Sequence, residues 1–186
     1  MQSIYSVEAF KQLLQKGSKP KYIFFWGHQQ KANQIDKSCF SQWYPAKFEI
    51  AGQIFLTAEH YMMAEKARLF KDEQTYNLII AATSAAHAKA LGREVKNFNE
   101  VIWRDNRFDI VVHANLAKFS QNPDLKQFLL DTNQRILVEA SPVDKIWGIG
   151  LAGDHEFAQL PIKWRGLNLL GFALMKVRDQ LKAEIV

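Results

Sequence analysis

The chain has 186 residues, 48% hydrophobic and 23% charged, enough for one domain with a sizeable core. Its formal charge of +5 contains no Lys/Arg block of the kind that forms a nucleic-acid arm, and it suits anionic ligands such as phosphate esters. A single cysteine, Cys39, excludes an internal disulfide and a cysteine-rich zinc site; no charged-then-apolar leader or membrane-length apolar run is visible, so a cytoplasmic protein without a membrane partner is expected.

In chain order, Ser6 caps a short helix that runs to Lys16 and closes at Gly17. Residues 22–26 read as a strand, and a polar loop follows over 29–38. Two short strands, 48–50 and 53–55, meet at Ala51-Gly52 as a tight hairpin. A helix over 57–70 follows, then helices over 72–82 and 84–91, the latter capped by Ser84 and stopped by Gly92. A long helix over 99–119, bent or broken within its length, leads to Asn122-Pro123, a cap and first-turn proline for a helix over 124–130. A strand over 135–139, a turn at Ser141-Pro142 and a helix over 164–182 complete the chain. Helix far exceeds strand, so the expected fold is mainly α (α+β), with a small antiparallel sheet or hairpin near the N-terminal part.

Two stretches carry candidate chemistry. At about 100° per residue, Glu59, Met62, Met63, Lys66 and Phe70 share one face of the 57–70 helix. Glu59 and Lys66 point within about 20° of each other, roughly 10 Å apart along the axis. Ionisable groups on an apolar stripe either reach water at its edge or face a polar pocket. Tyr61, Glu65 and Arg68 fall on the other side, where a solvated face would be ordinary. The second stretch is the strand end and turn over 137–150. Asp144 and Trp147 would share one side of a single helical turn, and Gly148 and Gly150 permit unusual dihedrals or a close approach to a ligand. A half-buried tryptophan in a plain loop would account for the same pattern.

Other residues are less informative. The five histidines, His28, His60, His87, His113 and His155, lack metal-ligand spacing and read as surface or partly buried groups. Glu139 fits hydrogen bonding to loop amides as well as catalysis. Lys118, Gln121 and Asn122 read as fixing a helix-to-helix turn. Lys89, Arg93 and Arg104 are phosphate candidates by charge, and Ser141 has no visible base partner.

Several blocks resemble, in order, the NADAR or YbiA-like family. They are Thr57-Ala58-Glu59-His60-Tyr61-Met62 with Lys66, Ala88-Lys89-Ala90-Leu91-Gly92-Arg93, Trp103, and Ala117-Lys118-Phe119-Ser120-Gln121-Asn122. Leu137-Val138-Glu139-Ala140-Ser141, Asp144 with Trp147-Gly148-Ile149-Gly150, and Gly166-Leu167-Asn168-Leu169-Leu170-Gly171 follow. The resemblance implies a domain over 21–186, with 1–20 as an N-terminal extension packed on it. It implies an N-glycosidase acting on phosphoribosylamino-pyrimidine intermediates of riboflavin biosynthesis, or else on ADP-ribosylated guanine, where nucleic acid becomes a partner. No metal or cofactor is implied. A non-catalytic module that binds ADP-ribose or a nucleotide is a third reading, disfavoured because the family acids are present.

Cleavage of such a bond builds positive charge on the ribosyl carbon, which a fixed carboxylate stabilises, while the leaving amine gains a proton and water loses one. Glu59 is therefore expected as charge stabiliser or base, Asp144 as acid or base, and Lys66 as the catalytic amine. Trp103 and Trp147 would wall the base, with Gly148 and Asn168 completing the substrate site.

Overall fold

A computed structural model describes residues 4–29 and 34–184. The expected loop over 29–38 and the extension over 1–20 thus each lie partly outside the described residues. Helix α1 (Val7–Gln15) begins where the Ser6 hydroxyl accepts the Ala9 amide, and its Phe10 packs against Tyr22, Trp164 and Phe172. Strand β1 (Tyr22–Phe25) leads through a 3₁₀ turn (Lys37–Phe40) to the hairpin of β2 (Phe48–Ile50) and β3 (Gln53–Phe55), antiparallel as its Ala51-Gly52 turn predicts. Helices α2 (Ala58–Leu69), α3 (Glu73–Ala81), α4 (Ala85–Arg93), α5 (Glu100–Gln121) and α6 (Pro123–Leu130) follow, then β4 (Ile136–Glu139) and α7 (Leu169–Ala183). The fold is α+β and mainly helical, and among the described residues no helix is long and apolar enough to cross a membrane.

Helix α2 is the hub. It packs against α3, α4 and α5, and touches β3. Its second face is therefore only partly solvated: Tyr61 is buried and its hydroxyl bonds His113 Nδ1 at 2.7 Å, while Glu65 is half-buried and pairs with the exposed Arg68. His60 is also buried, held between Thr57 Oγ1 and the Ala82 carbonyl.

Four further expectations are corrected. The long helix is one unbroken α5 of 22 residues. Gly92 does not stop α4 but lies within it, because a Cβ there would run into the Met63 side chain of α2. The last helix starts at Leu169 rather than Trp164; residues 165–170 instead run along the 145–149 loop, with Arg165 and Leu167 amides donating to the Ile149 and Lys145 carbonyls. Residues 144–147 form no helical turn.

The sequence also concealed a parallel pair. Strand β1 lies beside β4, with Tyr22 opposite Ile136 and Phe25 opposite Glu139. Both strands thus end at one level, and α7 covers β4 from behind. The approach is close: a Cβ on Gly171 would collide with the Leu137 carbonyl.

Candidate active site

A cavity of about 600 Å³ opens at the carboxyl ends of this parallel pair. Glu59, Met62, Met63 and Lys66 from α2 form its floor, so most of the stripe read in the sequence faces a pocket, while Phe70 packs against Phe98. Lys89, Gly92 and Arg93 of α4 and Trp103 of α5 form one wall, while Glu139, Ser141, Asp144 and Trp147 form another. Trp26, His28, Gln42 and Trp43 approach from the segments after β1 and the 3₁₀ turn.

Glu59 is only 2% exposed although it sits in the first turn of α2. Its amide donates to the Gln42 carbonyl at 2.9 Å and the Trp43 side chain hydrogen-bonds its carboxyl, yet Oε1 has no partner. Burial pushes its pKa up to about 7, and Asp144 adds to this against the opposing charges of Lys89 and Arg93. The loop that delivers Gln42 and Trp43 is itself pinned by Lys118, whose buried ammonium donates to the Cys39 and Ser41 carbonyls at 2.6 and 3.0 Å. Lys118, Gln121 and Asn122 do more than shape a turn. The Gln121 amide brackets the Glu49 backbone, and Asn122 reaches the Lys47 carbonyl.

Asp144 is oriented by its own loop: Oδ1 accepts the Ile146 and Trp147 amides at 2.8 Å each, and the Ser141 hydroxyl accepts the Asp144 amide. This local turn, not a helix, brings Asp144 and Trp147 to the same cavity. Lys66 donates to the Gly92 carbonyl at 2.7 Å and lies over the rings of Phe98 and Trp103. Burial lowers its pKa, with Glu100 opposing.

Two expected wall residues lie behind the wall. Asn168 is fully buried, and its left-handed backbone (φ 52°) aims the side chain at β4. Oδ1 accepts the Glu139 amide and Nδ2 donates to the Leu137 carbonyl, so Asn168 replaces a neighbouring strand along that edge. Gly148 is buried against the Glu139 and Asp144 carbonyls, where a Cβ would come within 2.9 and 3.0 Å. Neither residue lines the cavity. Arg104 is turned to Asp105 on the surface, leaving Lys89 and Arg93 as the basic groups of α4 that line it. Among the described residues no three His, Cys, Asp or Glu side chains group so as to hold a metal ion.

Sequence reasoning did not name Trp43 or Gln42, read His28 only as a surface or partly buried group, and left Glu139 between hydrogen bonding to loop amides and catalysis. For Trp43 a signal existed, the aromatic cluster Phe40, Trp43 and Tyr44 beside an otherwise polar loop. Nothing local marks His28 or Gln42.

The pocket thus combines buried acids, a basic wall and indole sides. The chain belongs to the NADAR family of N-glycosidases, whose domain matches residues 24–182. It is 47% identical over 165 residues to N-glycosidase R617 of Acanthamoeba polyphaga mimivirus, covering 86% of this chain and 96% of that protein. It is 32% identical to riboflavin biosynthesis protein VVA0006 of Vibrio vulnificus over 76% of this chain, which corresponds to 35% of that longer protein. The solution structure of Escherichia coli YbiA superposes with a TM-score of 0.73 at 28% identity, covering 90% of this chain and 89% of YbiA.

Proposed function

We propose that the protein hydrolyses the N-glycosidic bond of phosphoribosylamino-pyrimidine intermediates of riboflavin biosynthesis and releases ribose 5-phosphate. The observation that carries this reading is the buried, partly unpartnered carboxyl of Glu59 in a cavity that also holds Asp144 and the cations Lys89 and Arg93. A substrate that carries a phosphate and develops a cation finds groups of opposite sign to each in that cavity. Support from relatives is that one carries the name N-glycosidase and another the name riboflavin biosynthesis protein.

In the proposed reaction the pyrimidine stacks against the indoles of Trp103 and Trp147, and the phosphate meets Lys89 and Arg93. Glu59 stabilises positive charge at the ribosyl carbon as the bond to nitrogen lengthens. Asp144, fixed by two amides, aligns water on that carbon and takes its proton. Lys66, tied to the Gly92 carbonyl, holds a substrate oxygen rather than forming an imine.

ADP-ribosylated guanine offers the same type of bond, and one observation favours it: Trp26, 60% exposed, and Val143, 83% exposed, both line the cavity and offer apolar surface to a second base. Incubation of the protein with each substrate decides between them. Release of ribose 5-phosphate from the pyrimidine intermediates is the expected result. Release of ADP-ribose alone would move the assignment to guanine, and turnover of neither would refute both.

A further inference from the structure

The carboxyl of Glu139 has no task in the reaction as assigned above, yet its setting is unlike that of a structural acid. Its backbone is fixed on both sides. The amide donates to Asn168 Oδ1 at 2.9 Å, the carbonyl accepts the Ile149 amide at 2.9 Å, and the next amide, of Ala140, donates to the Phe25 carbonyl at 2.9 Å. The side chain, by contrast, projects into the cavity from the end of β4, and its Oε2 is shut away from water without a hydrogen-bond partner. An unpartnered buried acid costs stability, so packing alone gives no reason for it.

The charged groups around it come from three elements. Asp144 faces it from the following loop, Glu59 from α2 and Lys89 from α4; Arg93, Lys66 and His28 line the rest of the cavity. Burial first, then the neighbouring carboxylates, push its pKa up to about 8 against the opposing charge of Lys89. Glu139 therefore carries a proton near neutrality, and it lines the cavity that a substrate would enter.

We propose that Glu139 is the catalytic acid that protonates the leaving amine. This role rests on the N-glycosidase reading of the site. The C–N bond breaks with its electron pair passing to nitrogen, and the Glu139 proton moves to that nitrogen. Water forms the new C–O bond and gives its proton to Asp144. Proton exchange with solvent after product release restores Glu139 and Asp144. The three acids thereby divide the work: Glu59 faces the cation, Asp144 the water and Glu139 the leaving group.

The test compares two leaving groups. The phosphoribosylamino-pyrimidine needs a proton to depart, whereas 4-nitrophenyl ribofuranoside 5-phosphate releases a nitrophenolate that does not. Glu139→Gln is expected to lower kcat on the amine substrate by about 10²–10⁴-fold and to leave nitrophenolate release nearly unchanged. In the wild-type protein, which needs no folding control, an alkaline fall in kcat/KM near pH 8 is expected with the amine substrate and absent with the nitrophenyl one. Equal losses on both substrates, no loss on the amine, or the same alkaline limb for both would overturn the role of Glu139 alone. Wild-type protein that cleaves neither substrate overturns the N-glycosidase reading and this role with it.

Discussion

The substitution Glu59→Gln should stabilise the protein while disabling it, and the stabilisation should depend on pH in a defined direction. The Glu59 carboxyl has an ordinary value of 4.5 in the unfolded chain and about 7 in the folded one. Between those values the native state holds a proton that the unfolded state has released, so stability falls as pH rises from 4.5 to 7. Above pH 7 the penalty is complete, and below 4.5 it is absent. At about 1.4 kcal/mol per pKa unit the full penalty is about 3 kcal/mol.

Glu59→Gln removes the charge and keeps an oxygen for Trp43, but the new amide N–H groups enter a place where Oε1 already lacks a partner. That costs about 1 kcal/mol, leaving a net gain of about 2 kcal/mol above pH 7. For a chain of this size the gain corresponds to about 4–8 °C in unfolding midpoint. Thermal unfolding of both proteins from pH 4 to 8.5 should show midpoints that separate through this window, with the variant level with wild type or slightly below it at pH 4. Turnover should fall by about 10²-fold or more, since charge stabilisation is lost. A variant less stable than wild type by the same amount at every pH would refute the reasoning. It would show that Lys89 and Arg93 hold Glu59 ionised in the empty site.

Trp147→Phe should retain part of the activity and Trp147→Ala should lose about 1–3 kcal/mol of substrate binding, read from KM; equal small losses would make Trp147 mere packing. Asn168→Ala leaves the Glu139 amide and Leu137 carbonyl unpaired and strains a left-handed backbone, at a cost of about 3–5 kcal/mol. Asn168→Gly should recover only the backbone share in chemical denaturation, whereas a stable Asn168→Ala protein with a raised KM would put Asn168 back in contact with substrate. Borohydride added during turnover should leave no sugar adduct on Lys66 by peptide mass spectrometry, and Lys66→Arg should keep measurable activity; an adduct would establish the imine route.

How much of this was legible depended on how local its cause is. The helical spacing of Glu59, Met62, Met63 and Lys66 gives the face of α2 directly, and that face lines the cavity. The Ser6 and Ser84 caps and the Ala51-Gly52 turn are equally local. On the opposite face of α2, Arg68 is solvated as expected, but Tyr61 is buried and Glu65 half-buried although both look polar. Their partners His113 and Arg68 and the packing of α3 and β3 supply the burial. Gly92 looked like a helix stop, but its reason is a side chain 29 positions earlier, Met63. The parallel pairing of β1 and β4 spans more than a hundred residues and leaves no trace in either strand's pattern, so the convergence of Glu139 with Glu59 was out of reach.

The distribution of charge in the cavity has its own consequence for catalysis. Lys89 and Arg93 stand four apart on α4, hence on one face, and both act on Glu59 in the empty site. A substrate phosphate that takes up those two cations withdraws their support, so the Glu59 anion is held less well in the ground-state complex than in the free protein. Positive charge at the ribosyl carbon then supplies what the phosphate removed, and it does so only as the bond breaks. In this proposed arrangement, phosphate binding is converted into preference for the transition state rather than into tighter ground-state binding. A substrate stripped of its phosphate should therefore lose kcat as well as affinity, although the phosphate never approaches the bond that is cut.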